Sequence, residues 1–260
     1  MMPEHNEPEQ TETQRSKGIY LLPNLFTTTA LFAGFYAIVS AMRGDFEKAA
    51  IAIFIAMIMD GIDGRVARLT NTQSAFGAEY DSLSDVVSFG VAPSLVVYSW
   101  GLSSLGKFGW LAAFFYAAAT ALRLARFNSR ISNDDKRWFQ GLPSPSAAGL
   151  VAAMVWVAHD YGMPGHRLWI IAAIVTLITG ALMVSNIKYY SFKEIDLKGR
   201  VPFVAVLAVL IGFVCVSIDP PLILIVIFSL YVLSGPILSL RKMYSAWRHK
   251  THLKSNQEDK

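Results

Sequence analysis

Apolar segments about as long as a bilayer is thick recur along nearly the whole chain, and no other feature limits its fold so strongly. They run over residues 21–42, 46–64, 84–103, 108–128, 143–161, 167–186, 201–218 and 220–240, with short polar breaks between. A membrane-spanning helix needs about 20 predominantly apolar residues. In lipid a lone segment can satisfy its backbone only as a helix. Composition points the same way: 53% of the 260 residues are hydrophobic and 16% are charged, against about a quarter charged in a soluble domain. The expected fold class is therefore an all-α polytopic membrane protein with about eight transmembrane helices. The chain has 1 cysteine, so no internal disulfide can form, and no Cys/His cluster indicates zinc.

The basic residues orient these segments. Arg43, Lys48, Lys107 and Arg167 fall on one side of the alternation, and every other Lys and Arg falls on the other. By the positive-inside rule both termini face the cytoplasm. The net charge of +4 is thus read as membrane topology, and no nucleic-acid partner is expected. Residues 1–16 are polar and rich in Glu, Gln, Thr and Pro, the composition of a disordered cytoplasmic tail. Residues 17–200 are read as the catalytic membrane domain, 201–240 as an additional transmembrane hairpin, and 241–260 as a basic cytoplasmic tail that meets anionic lipid.

Within this apolar chain the stretch 60–85 is costly. It holds Asp60, Asp63, Gly64, Ala67 and Arg68, then Gly77, Asp81 and Asp85. The first five lie at helical spacing on one face, the last three on one face of the next helix. The polar residues Thr70 to Ser74 between them form a tight turn, which brings the two acidic faces together. Carboxylates gathered at one place must take up protons or cations. Such hard oxygen donors select Mg²⁺, Mn²⁺ or Ca²⁺ over zinc, and pairs of such metals serve phosphoryl transfer. Gly64, Ala67 and Gly77 have little or no side chain, so a ligand can approach the backbone closely. Acids, small residues and one arginine together point to a metal-bound nucleotide diphosphate.

Plainer readings exist for each residue alone. A single Asp at a helix end ordinarily caps it or pairs with a neighbour, and small residues ordinarily serve helix packing. They do not account for all of these residues in register. A cation transporter with intramembrane carboxylates predicts acids near mid-membrane and paired broken helices in two related halves. Here the acids cluster at one edge in one helix pair, and no internal repeat is evident.

The same residues match without gap the motif D-x2-D-G-x2-A-R-x8-G-x3-D-x3-D, and the chain resembles the CDP-alcohol phosphotransferases that carry it. Three flanking stretches resemble the serine-using branch of that family: Leu22-Pro-Asn-Leu-Phe-Thr27, Leu122-Arg-Leu-Ala-Arg-Phe-Asn128 and Phe139-Gln-Gly-Leu-Pro-Ser-Pro145. The resemblance implies a six-helix core plus two C-terminal helices, and commonly a homodimer. It implies transfer of the phosphatidyl group of CDP-diacylglycerol to L-serine, with CMP released. It implies two divalent cations, Mg²⁺ or Mn²⁺, held by Asp60, Asp63, Asp81 and Asp85, with Asp85 also the catalytic base. Asn24, Thr27, Gly64, Ala67, Arg68, Ser74 and Gly77 fall where relatives meet the CDP moiety. Another acceptor, such as glycerol 3-phosphate, inositol phosphate or choline, would use the same acidic motif. Serine brings a carboxylate that these lack, and Arg123 or Arg126 is expected to bind it, or a phosphate, through the bidentate fork of arginine. Membrane anchoring by lipid headgroups is the ordinary role of such basic residues. The expected location is the bacterial inner membrane, with the site facing the cytoplasm.

Overall fold

The computed structural model describes residues 21–129, 138–191 and 203–258; the tail 1–16 lies outside them. Its helices are α1 (Leu21–Met42), α2 (Phe46–Leu69), α3 (Ala75–Trp100), α4 (Lys107–Ser129), α5 (Ser144–Asp160), α6 (Trp169–Val184), α7 (Phe203–Ile218) and α8 (Pro220–Glu258). Each corresponds to one apolar segment of the sequence. Among the described residues 5 helices are long and apolar enough to cross a membrane: α1, α3, α4, α6 with the turn before it, and α8 as far as Arg241. α2 carries Glu47 and Lys48 in its first turn and Asp60, Asp63, Arg65 and Arg68 in its last turns, and α5 and α7 have 17 and 16 residues, short of a full span. The chain is an all-α polytopic membrane protein.

The first two helices are joined by a three-residue turn. Gly44, with φ of +81°, ends α1 in the left-handed region that glycine enters freely. The seam below it is built of small residues: Ala30, Ala33, Ala37 and Ala41 of α1 and Ala49, Ala50 and Ala56 of α2 are buried. In lipid, helices associate through such close packing rather than through a hydrophobic force. The same helix α1 packs along α3. There Ser84 Oγ donates to Thr27 O at 3.2 Å and Ser88 Oγ to Ala30 O at 3.0 Å. A Cβ on Gly34 would stand 2.7 Å from Ser88 Oγ, so glycine sets how closely these helices approach. The central helix is α5, surrounded by α2, α3, α6 and α8.

Three features differ from the sequence reading. First, α3 begins at Ala75, as the placing of Gly77, Asp81 and Asp85 on one helix requires although the apolar segment starts only at residue 84, but it carries a π-helical stretch over Val86–Val91 that the spacing does not show. Pro93 has no N–H to offer the carbonyl of Phe89, and the wide turn falls where that bond is missing. Second, Trp138–Gln140 (β1) pairs antiparallel with Lys188–Tyr190 (β2), Phe139 opposite Tyr189. Strands of three residues are too short to show an alternating pattern. Third, α8 continues past Leu240 to Glu258 with Pro236 inside it. The expected tail after residue 240 begins as a continuation of that helix, because loss of hydropathy ends a membrane span without ending helix propensity.

Candidate active site

The acidic residues stand on two helices that fold back at residues 70–74. Thr70 N and Thr72 N bond to Val66 O and Ala67 O, which stops α2. Asn71 then turns with φ of +51°, a conformation that Asn tolerates better than most residues. Ser74 caps α3, its Oγ accepting from Gly77 N at 3.0 Å. Across this turn, one carboxylate oxygen from each of Asp60, Asp63 and Asp81 comes within 4.8 Å of the others. Asp85, one turn further along α3, interacts electrostatically with Asp60, Asp81 and Arg123. The acidic faces meet as their spacing requires. An all-oxygen donor set with this much negative charge fits hard divalent cations.

Helix α1 supplies what spacing along α2 and α3 does not reveal. Thr27 Oγ1 donates to Asp63 Oδ2 at 2.7 Å, with both residues buried. The hydroxyls of Thr28 and Tyr80 lie 2.9 Å apart, tying α1 to α3 a second time. The expected nucleotide contact of Thr27 thus has a nearer partner in Asp63, and its hydroxyl orients a carboxylate that could hold metal. One signal for this was available in the sequence. Ser84 and Ser88 sit on the apolar part of α3, and a buried hydroxyl needs a partner.

The remaining expected nucleotide residues form two groups. Asn24, Ser74 and Gly77 meet where α1 approaches the start of α3: a Cβ on Gly77 would stand 3.1 Å from Ser74 Oγ and 3.5 Å from Asn24 Oδ1. Part of the need for glycine there is to leave room for the cap. On α2, a Cβ at Gly64 would meet nothing within 4 Å, Ala67 is half-buried, and Arg68 is exposed in the last turn. That face is open to a ligand.

The two arginines of α4 have different surroundings. Arg126 Nη1 donates to Val184 O, and its Nη2 to the carbonyls of Gln140, Met183 and Ser185. These carbonyls include the end of α6, where a helix leaves acceptors unpaired and favours a cation. That geometry gives Arg126 a structural task, which the positive-inside pattern alone did not reveal. Arg123 is only 8% exposed. Its Nη1 donates to Ser144 Oγ at 2.9 Å, while its Nε is buried with no partner. An unmatched donor on a buried guanidinium is costly and calls for a partner. Ser144 begins α5, so the position of Arg123 depends on a residue distant in sequence. Asn128 Nδ2 donates to Ser82 Oγ at 2.9 Å and fastens the end of α4 to α3.

Known proteins share this arrangement of sequence. Residues 20–185 match the family model described as CDP-alcohol phosphatidyltransferase. A CDP-diacylglycerol–serine O-phosphatidyltransferase of Helicobacter pylori is 39% identical over 220 residues, 84% of this chain and 91% of that protein. The protein of the same name from Mycobacterium leprae is 32% identical over 231 residues, 86% of this chain and 76% of its own length. That from Methanocaldococcus jannaschii is 42% identical over 137 residues, 53% of this chain and 61% of its own. The matched region runs from the start of α1 through α6 and contains the whole acidic cluster with the turn that assembles it. The chain belongs to the CDP-alcohol phosphatidyltransferase family.

Proposed function

We propose that this integral membrane protein transfers the phosphatidyl group of CDP-diacylglycerol to the hydroxyl of L-serine, giving phosphatidylserine and CMP. One observation carries the acceptor: Asp85 interacts with the acidic cluster and also with Arg123, whose buried Nε has no partner. Serine has a hydroxyl for the first and a carboxylate for the second. The names of the relatives support the same choice.

Asp60, Asp63, Asp81 and Asp85 would hold two divalent cations, Mg²⁺ or Mn²⁺. When bound, they supply positive charge against the pyrophosphate and the charge that develops on it. Asn24, Gly64, Ala67, Arg68, Ser74 and Gly77 line the CDP side, and Thr27 acts through Asp63. Asp85 takes the proton from the serine hydroxyl as that oxygen attacks the β-phosphorus. A new P–O bond forms to serine, the P–O bond to CMP breaks, and the proton stays on the Asp85 carboxylate until it passes to water. Arg123 fixes the serine carboxylate through Nε and its neighbouring amino group, which aims the hydroxyl. The distribution of basic residues supports a cytoplasmic site and cytoplasmic termini in a cytoplasmic membrane. There a lipid nucleotide and a soluble amino acid can meet. We also propose that two copies associate as a homodimer.

The acceptor is tested by CMP release from CDP-diacylglycerol with a panel of alcohols. Serine is expected to support turnover, and glycerol 3-phosphate, inositol phosphate and choline are not. Release with one of these and none with serine would overturn the assignment. Arg123→Ala is expected to raise the serine KM by about 10- to 100-fold, the worth of a hydrogen bond to a charged group. The KM for CDP-diacylglycerol should hardly change. A serine KM equal to that of the parent would move the carboxylate site elsewhere.

A further inference from the structure

We infer that Ser144, the first residue of α5, is a positioning residue for the acceptor, acting through Arg123, and that the first turn of α5 belongs to the subsite for the acceptor's carboxylate. This rests on the reading of Arg123 as the donor to that carboxylate. Arg123 Nη1 donates to Ser144 Oγ at 2.9 Å, with Arg123 8% exposed and Ser144 fully buried. A guanidinium is planar and holds its donors in a fixed fork. Nη1 lies on the far side of the group from the Nε N–H, so a bond there leaves Nε and Nη2 as a parallel pair. Holding one corner of the plane fixes where that pair points. Nε is buried without a partner, and among the described residues Arg123 forms no ion pair. A carboxylate takes two parallel N–H donors of this kind.

The start of α5 adds to the positive charge. α5 has 17 residues, and the positive end of its dipole lies at Ser144. A buried guanidinium at that end, with no carboxylate paired to it, favours an anion. Ser144 itself has little freedom, because Pro143 and Pro145 flank it. The segment leading to it is held by the second arginine of α4. Arg126 Nη2 donates to Gln140 O at 3.2 Å and to Met183 O at 3.3 Å, tying β1 to the end of α6. Gly141 then turns with φ of +79° and bonds to Ile187 O at 2.8 Å, and Leu142 N bonds to Leu182 O at 3.0 Å. A Cβ on Gly141 would overlap Met183 O and stand 2.9 Å from Arg126 Nη2, so only glycine passes between them. The two arginines thus divide the work. Arg126 holds the segment that carries Ser144, and Ser144 aims Arg123.

The test uses the full chain in detergent or lipid, with Ser144→Ala, Ser144→Cys, Arg123→Ala and the double variant of Ser144→Ala with Arg123→Ala. Ala removes the acceptor for Nη1. Cys fills the space of serine but is only a weak acceptor, so it separates the hydrogen bond from packing. Both changes at Ser144 are expected to raise the serine KM about two- to tenfold, the range of one hydrogen bond. Their kcat and KM for CDP-diacylglycerol should stay close to those of the parent. The double variant should be little worse than Arg123→Ala alone, because Ser144 acts through Arg123. Equal rises in both KM values, or a serine KM raised in Ser144→Ala but restored in Ser144→Cys, overturn the inference. So does loss of CDP-diacylglycerol binding in both variants, which would make Ser144 a residue of the fold alone. If Arg123→Ala itself leaves the serine KM unchanged, it is the carboxylate reading that fails. If Arg123→Ala raises it and Ser144→Ala does not, only the role of Ser144 fails.

Discussion

Asp85→Asn is expected to abolish turnover while CDP-diacylglycerol still binds measurably. Asn has the same shape and retains one oxygen, but it cannot take a proton at neutral pH. The serine hydroxyl is a poor nucleophile, and a base takes its proton efficiently only when held within hydrogen-bond reach of it. The base therefore works through position as much as through proton affinity, and no neighbour can replace it. Loss of a positioned general base costs about 10²–10⁴-fold, and loss of a donor to a metal would add to that. Binding of the lipid nucleotide should persist, because Asp60, Asp63 and Asp81 form a group of their own with oxygens within 4.8 Å of one another. The measurement is CMP release by the purified variant beside direct binding of CDP-diacylglycerol. Near-normal release defeats the assignment of the base.

Removal of divalent cations with a chelator is expected to stop CMP release, and Mg²⁺ or Mn²⁺ to restore it. The reason is electrostatic: the acids at residues 60–85 and a pyrophosphate would otherwise face one another without neutralisation. Asp63→Asn should have a comparable effect, measured as a large rise in the Mn²⁺ concentration needed for half activity and as weakened Mn²⁺ binding by calorimetry. Thr27→Val is a graded control. It removes the 2.7 Å hydrogen bond to Asp63 and leaves the carboxylate in place, so Mn²⁺ affinity should fall by about tenfold, the lower end for a bond to a charged group. Full activity after exhaustive chelation would exclude the metal site. Unaltered Mn²⁺ affinity in Thr27→Val would show that Asp63 needs no orientation from α1.

The acidic cluster was legible in the sequence because helical periodicity is local. Once Asp60 and Asp63 lie on one helix and Asp81 and Asp85 on the next, five turn residues leave few ways to join them. Arg126 was not legible in the same way. A basic residue near the end of an apolar segment has the same pattern whether it anchors to lipid, binds substrate or, as here, donates to the carbonyls at the end of α6. Arg123 and Arg126 are three residues apart, yet only Arg123 has a buried donor without a partner. The length of α8 was misjudged for a related reason: hydropathy reports where the membrane span ends, and propensity reports where the helix ends.

From its sequence alone, this chain was determined to be a helical membrane protein with a carboxylate cluster suited to divalent cations. Apolar length and helical spacing decide both, and each depends on residues close together along the chain. Only the tertiary structure decided what holds the cluster and what stands beside it. Thr27 reaches Asp63 across 36 positions, and Arg123 finds its hydrogen-bond partner in Ser144 at the start of α5. Those contacts follow from how closely helices and turns can approach. The alanine seam of α1 and α2 and the glycine at Gly141, between Met183 O and Arg126, set that approach, and local pattern does not carry such long-range fit.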